Sequence, residues 1–464
     1  MTAATAADPR AAHAASVERL VAGYRAIPPG APVRLAKTSS NLFRARSRPV
    51  RPGLDVRGLD GVLAVDVDAG TVDVGAMCTY ETVVAATLPY GLVPTVVPQL
   101  RTITVGGAVT GLGIESSSFR AGLVHESVRE LDILCGSGEL VTATPTNAHA
   151  DLFHGFPNSF GTLGYATRVR LELEPATAFV ALRHLRCRSV GELQELTGSL
   201  VAAGRLDGRP VDYLDGVVFG PDESYLTVGT RTDEAGPVSD YTGQQIYYRS
   251  IRRRTSDRLT TADYLWRWDT DWFWCSRAFG AQQPLIRRLW PRRYRRSSVY
   301  AKLVALDRRW AIADRIERLH RRPALERVVQ DVEIPLERSA DFVDWFLGTV
   351  PIEPLWWCPL RERPGPATAG PRYPLYPLEA DRTYVNVGFW SVVSGDPASP
   401  GATNRRIEDE VSRLGGHKSL YSDSYYPRAE FDARYGGDRY AVLKRRYDPQ
   451  HRLLDLYAKA VQRR

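Results

Sequence analysis

Cysteine is scarce in this chain. Cys78, Cys135, Cys187, Cys275 and Cys358 form an odd, scattered set of five with no C-x-x-C spacing and no H-x-x-x-H pair beside them. A disulfide framework and a structural zinc site are therefore not expected. A secretory leader is also lacking: MTAATAADPRAAHAA has neither a basic n-region nor an apolar h-region, which points to a cytoplasmic chain. Long apolar runs are missing as well. The most apolar stretch, Val83 to Pro98, is broken by Pro89, Gly91 and Pro94, so any membrane contact is expected to be peripheral, at the inner face of the plasma membrane. Glycines are plentiful, but no G-x-G-x-x-G opens a helix with an acidic ribose partner downstream, and this excludes a Rossmann fingerprint.

What is present is a chain of 464 residues, 44% hydrophobic, with a net charge of +8 carried mainly by arginine. That length supports two intimate domains, and the charge favours anionic partners. An amphipathic start at Val17–Ala26 precedes a short strand, Val33–Ala36. Gly61–Val67 and Thr71–Gly75 read as a hairpin, Tyr80–Leu88 has helical spacing, Leu131–Leu134 with Glu139–Thr144 reads as a second hairpin, and Tyr165–Leu173 alternates as a strand. Between them, Pro94–Arg120 reads as glycine-rich loop. Beyond Phe179 the spacing predicts a helix over Val190–Ala203, strands at Tyr213–Phe219, Ser224–Thr230, Val328–Pro335 and Thr383–Phe389, a helix near Ala340–Phe346, and a C-terminal helix after Pro449. The class is α+β, divided at 1–175 and 176–464, with a Trp/Arg-rich insert near 247–296 and a C-terminal segment returning toward the first domain.

Glycines let a main chain approach phosphate oxygens, and Thr104-Val105-Gly106-Gly107 to Gly113 has that character. The order Lys37-Thr38-Ser39-Ser40-Asn41, TVGGAVTGLGIESSS, LDILCGSGELVTATPTNAHADLF and GTLGYATRVRLEL resembles the FAD domain of the vanillyl-alcohol-oxidase type, also called PCMH-type. Val97–Leu100, Asp151-Leu152-Phe153, Val329-Gln330-Asp331, Trp357-Cys358-Pro359 and Leu420-Tyr421-Ser422-Asp423 resemble the Δ24-sterol reductase, or Diminuto-like, branch. The resemblance implies a PCMH-type FAD domain followed by a substrate cap. It places Lys37, Thr38, Ser39, Ser40, Asn41, Thr104, Val105, Gly106 and Gly107 along the FAD pyrophosphate. Gly111, Glu115, Ser116 and Ser117 would follow the ribityl and isoalloxazine side, and Gly161, Thr162, Gly164 and Val169 the adenine end. Glu115 stands where oxidases of this type often carry a histidine, so the FAD is expected to be non-covalent.

Trp266, Trp268, Trp272 and Trp274 fall within eleven residues, a density that suits either an aromatic core or the wall of a pocket for a long apolar substrate. Downstream, Arg287, Arg288, Arg292, Arg293, Arg295 and Arg296 surround Trp290 and Tyr294, the pattern of a solvated face or of an anionic membrane contact; no nucleic-acid motif accompanies it. The family resemblance implies reduction of an isolated carbon–carbon double bond in a lipid, by protonation and hydride transfer from reduced flavin, with NADPH as donor. Proton-donor candidates are Tyr421, then Lys302, Tyr384 and His417. The Ala/Arg-rich composition and LWRWDTDWFWC look more like bacterial methylene-fatty-acyl reductases, which implies a phospholipid acyl chain as substrate and a lipid methyltransferase as partner. A sterol side-chain alkene, FAD-dependent oxidation of a small hydroxylated molecule, and lipid binding without turnover are the alternatives.

Overall fold

The computed structural model describes residues 8–37, 53–310, 325–365 and 370–462. After helix α1 (Pro9–Arg25), capped by Asp8, the chain builds a six-stranded antiparallel sheet from β1 (Val62–Asp66), β2 (Thr71–Gly75), β3 (Leu92–Pro94), β4 (Val128–Cys135), β5 (Leu140–Ala143) and β6 (Gly164–Pro175). The order is β1-β2-β6-β4-β5, with β3 on the C-terminal end of β6. Alternation decides its two faces. Val72, Val74, Leu131, Ile133, Val169 and Leu171 point into the core, while Asp73, Arg168 and Arg170 form an ion ladder on the other face. Both expected hairpins are present; Gly70 takes φ 60 in the first turn, where Ala69 N donates to Asp66 Oδ1 at 2.9 Å.

The glycine-rich run departs from expectation. Tyr80–Thr87 is helix α2 as the spacing predicts, but Val105–Gly111 is also a helix, α3, and not a loop. Thr104 caps it by accepting from Gly107 N at 3.2 Å, and the amides of Val105 and Gly106 donate to Cys78 O (2.9 Å) and Ala76 O (2.8 Å). Glycine inside a helix costs roughly 1 kcal/mol, and close packing explains Gly106. A Cβ there would lie 2.9 Å from both Cβ and O of Ala76.

The second sheet has eight strands: β7 (Phe179–Cys187), β8 (Tyr213–Gly220), β9 (Glu223–Thr232), β10 (Ser256–Thr260), β11 (Leu325–Pro335), β12 (Leu355–Arg361), β13 (Thr383–Ser394) and β14 (His417–Lys418). They run β10-β7-β9-β8-β12-β13-β11-β14, every neighbour antiparallel. Helices α4 (Val190–Ala203), α5 (Ser339–Thr349) and α6 (Ala402–Arg413) share a core with one face through Leu214, Val218, Val332, Ile334, Val385, Val387 and Trp357. The opposite face turns Tyr213, Val217, Trp356, Cys358 and Tyr384 into the same core that fills the first domain.

The C-terminal segment crosses back to the first domain. Helix α7 (Gly437–Tyr447) ends before Pro449, and among the described residues only the short helix Leu456–Ala460 follows that proline. Lys444 Nζ donates to Thr162 O at 2.7 Å, Tyr447 O accepts from Ser137 N at 2.8 Å, and Arg452 O accepts from Val33 N at 2.8 Å. The glycine packing gives a test. Gly106→Ala should lower stability by about 1–3 kcal/mol, the usual effect of overpacking, seen as a lower thermal midpoint. Gly61→Ala, where a Cβ meets nothing within 4 Å, should leave it unchanged.

Candidate active site

The polar face of the second sheet is laid down by strand register. Glu333 on β11 pairs with Asn386 on β13, which pairs with Cys358 on β12; Asp331 pairs with Gly388, which pairs with Trp356. Asp215 on β8 lies one strand further, since Gly216 pairs with Trp357. Carboxyls at alternate positions of an apolar strand share one face, so Asp331 and Glu333 project together toward the first domain. That domain meets them at two places. Asn158 Nδ2 donates to Leu375 O at 2.7 Å, and the next residue, Tyr376, hydrogen-bonds through its hydroxyl to Glu333.

At the other place, Arg267 is fully buried between Glu115 Oε1 (3.0 Å) and Asp215 Oδ2 (2.9 Å). Ser116 Oγ donates to Glu115 at 2.7 Å and lies 2.8 Å from the Tyr264 hydroxyl, whose ring sits 4.0 Å from the guanidinium. Trp268 Nε1 and Trp356 Nε1 both donate to Asp215, at 3.0 and 3.3 Å. Cys358 lies where the charges of Glu115, Asp215, Arg267 and Asp331 all reach it, and burial keeps its thiol protonated. The two meeting places therefore border one seam.

Two acids in this seam hold protons near neutrality. Burial pushes Asp331 up to about 7, against the pull of hydrogen bonds from Asn386 and Tyr421. Burial, with the Asp331 charge adding to it, takes Glu333 to about 8, opposed by the Tyr376 and Ser419 hydroxyls. Tyr421 accepts from Trp390 Nε1 at 3.0 Å, and burial raises its pKa well above the ordinary range. Trp390 in turn lies against Phe273 (4.4 Å between centroids) and Trp274 (5.4 Å).

Of the proton-donor candidates, Tyr421 falls in the seam beside Asp331. Lys302 does not: it is exposed, on the helix Ser297–Trp310. His417 pairs with Glu333 across β14, yet burial lowers its pKa to about 4, so it carries no proton to give at neutral pH. Tyr384 accepts from Glu379 N at 3.3 Å beside His417, on the same face. Trp266, Trp268, Trp272 and Trp274 are all buried. Trp268 stacks on Phe273 and Trp266 lies under Arg101, so these two are aromatic core; Trp274 reaches the seam through Trp390.

The cofactor candidates divide likewise. Lys37 follows the strand Leu35–Ala36; Thr38, Ser39, Ser40 and Asn41 lie outside the described residues. The amides of Val105, Gly106 and Gly107 already have internal acceptors, so the helix they open does not offer them to a pyrophosphate. Gly111 packs against the Phe160 ring, 3.2 Å from where a Cβ would stand, and Ser117 Oγ donates to Thr95 O at 2.8 Å. Gly161 (φ 72) turns the chain, Thr162 O and Oγ1 are bonded to Lys444 and Ser159, and Gly164 packs on Ile133. Val169 is wholly inside the sheet with Val74 and Leu131 on either side, a core position with no surface for adenine.

Asp331, Glu333, Asn386, Asp215 and Arg267 were given no catalytic or binding role in the sequence reading, although Asp331 ends the Val329-Gln330-Asp331 motif. Two carboxyls at alternate positions of the apolar VVQDVEIP strand were the available signal.

The seam fits a polar cofactor. Glu115 Oε2, Asn158 Oδ1, Ser159 Oγ and Asn386 Oδ1 are buried without a protein partner among the described residues. Buried polar atoms are nearly always satisfied, so such a cluster suits a polar ligand. Leu112, Asn158 and Phe160 take positive φ of 63, 60 and 51° around it. A cavity of about 590 Å³ elsewhere is lined by Glu362, Arg363, Arg372, Glu379 and Asp381 and includes none of these residues.

The fold is α+β with a PCMH-type FAD domain, and the chain is an FAD-dependent oxidoreductase: a family model described as an FAD binding domain matches residues 11–144. Over 419 residues the chain is 25% identical to the Delta(24)-sterol reductase of Homo sapiens, covering 86% of this chain and 75% of that protein. It is 24% identical over 442 residues to the Delta(24)-sterol reductase of Arabidopsis thaliana, covering 88% and 76%. A shorter match, 35% over 136 residues, is to Cytokinin dehydrogenase 9 of Oryza sativa subsp. japonica, covering 29% and 25%.

Two predictions follow from the charges. Arg267→Met strands two buried carboxyls and should cost about 3–5 kcal/mol of stability, with most of it recovered when Glu115→Gln and Asp215→Asn are added; chemical denaturation measures both. Asp331 and Glu333 rise in the folded state from 3.8 and 4.5, so the native chain keeps protons that the unfolded chain releases. Stability should then fall as pH rises from about 5 to about 8, and Asp331→Asn with Glu333→Gln should flatten the profile of thermal midpoint against pH.

Proposed function

We propose that this chain reduces an isolated carbon–carbon double bond in a lipid, and that its substrate is a methylene branch on a phospholipid-linked acyl chain. The observation that carries the reading is the half-buried Asp331 carboxyl, whose pKa is raised to about 7, with Tyr421 and Trp390 linking it to the aromatic insert. An isolated alkene accepts hydride only when a proton arrives at the neighbouring carbon. Bound FAD, once reduced, supplies the hydride, and NADPH is the proposed source of its electrons. The protein supplies the proton. Asp331 holds it up to about pH 7, and Tyr421 hydrogen-bonds to that carboxyl. The carboxylate left behind takes a proton back from solvent in each cycle. Aromatic faces at Phe273, Trp274 and Trp390 suit the transient positive charge on carbon.

The likeness to Delta(24)-sterol reductases over most of the chain supports double-bond reduction, and it also favours a second reading in which the alkene belongs to a sterol side chain. The Trp/Arg-rich insert favours the acyl substrate, whose methylene carbon a lipid methyltransferase would supply. Glu115, engaged by Ser116 and Arg267 where related oxidases often have histidine, supports non-covalent FAD; denaturation should release all of the flavin. With NADPH under anaerobic conditions, methylene phospholipid and a Δ24-sterol should be offered separately, and product formation from neither overturns the reading. Asp331→Asn should lower turnover by about 10²–10⁴-fold, the usual range for a lost general acid, with FAD content unchanged. In the parent protein the rate should fall as pH rises through about 7, where Asp331 loses its proton.

A further inference from the structure

The short helix Pro284–Leu289 is amphipathic in reverse. Arg287 is its buried side, 1% exposed, while Leu285 and Leu289 are 77% and 84% exposed and Ile286 is 42% exposed. Arg287 donates to both oxygens of Asp271 (2.7 and 3.1 Å) and to the carbonyls of Tyr241 (3.1 Å), Gly243 (2.9 Å) and Gln245 (3.0 Å). Arg295 closes the next turn by donating to Gly243 O at 2.5 Å and Trp290 O at 2.8 Å. The leucines are thus held outward by a rigid, hydrogen-bonded base. They stand four residues apart and share one face.

The surrounding charge is mainly positive. Arg277, Arg288 and Arg293 are exposed and have no carboxylate partner among the described residues, and Arg293 lies 4.8 Å from the ring of the exposed Tyr294. Arg292 and Arg296 differ, being paired with Asp240 and Glu81. No helix among the described residues is long and apolar enough to cross a membrane. Apolar side chains ringed by unneutralised cations, with tyrosine and tryptophan at the margin, match the chemistry of a bilayer surface.

We infer that Pro284–Tyr294 is a docking tip for an anionic lipid bilayer. Leu285, Ile286 and Leu289 enter the acyl boundary, and Arg277, Arg288 and Arg293 meet headgroup phosphates. The tip is joined to the aromatic insert, whose Trp274 lies against Trp390 of the site, so docking brings the bilayer to the catalytic half of the molecule. The inference deepens the lipid reading but does not depend on which alkene is reduced.

Co-sedimentation of the FAD-loaded chain tests it. The probes are vesicles of phosphatidylcholine alone and of phosphatidylcholine with phosphatidylglycerol in equal parts. The parent protein should pellet with the mixed vesicles and be released by high salt. Arg288→Gln with Arg293→Gln should weaken that partition about 25-fold, each cation contributing about fivefold. Leu285→Ser with Leu289→Ser should weaken it at least about tenfold, and both variants should keep parental turnover on detergent-dispersed substrate. Equal binding to neutral and mixed vesicles, or unchanged binding by the leucine variant, overturns the docking tip. Vesicle binding without reduction of any alkene overturns the proposed reaction and leaves the tip standing.

Discussion

The Arg267 guanidinium has no exposed surface, and each of its two carboxylate partners comes from a different part of the molecule. Glu115 belongs to the segment after helix α3, Asp215 to the second sheet, and Arg267 itself to the aromatic insert. A buried cation is tolerable only when opposite charge and hydrogen bonds surround it, so the three segments must assemble in register or not at all. The Tyr264 ring and the Trp268 indole close the arrangement, one against the guanidinium and one on Asp215. Through Trp268 the same constraint positions Phe273 and Trp274, and through them Trp390 and Tyr421. The ion triad therefore sets which aromatic surface meets the proton-bearing acids, whose own direction strand register decides.

The second sheet divides its two faces by chemistry. Its apolar face takes three helices and could serve any α+β protein, whereas its polar face sets Asp331, Glu333, Asn386, Cys358 and Asp215 against the first domain. Desolvation is the shared cause of the raised acid pKa values and of the lowered one at His417. It makes carboxylic acids, not imidazole, the proton carriers of the seam. The aromatic insert works in the opposite sense at its far end, where Arg287 and Arg295 go inward and Leu285 and Leu289 outward.

Much of the local structure was legible along the chain. Both hairpins and the helix Val190–Ala203 occur where periodicity and turn residues put them. The four ordered FAD motifs led to the cofactor class that the family model supports. The glycine run was harder to read, because a glycine needed for close packing on Ala76 is indistinguishable in sequence from one that cradles phosphate. Two members of the arginine cluster misled for a related reason: Arg287 and Arg295 look like surface charge until the carbonyls and the Asp271 carboxylate they satisfy are seen.

By itself, then, the sequence determined most of the elements, the α+β class and the kind of cofactor, since propensity, alternation and local motifs are properties of neighbouring residues. Tertiary structure alone decided which acids carry protons and which charges face inward. A carboxyl's proton affinity depends on its desolvation and on partners such as Asn386 for Asp331 or Tyr376 for Glu333, which lie dozens of residues away and meet it only in the folded chain.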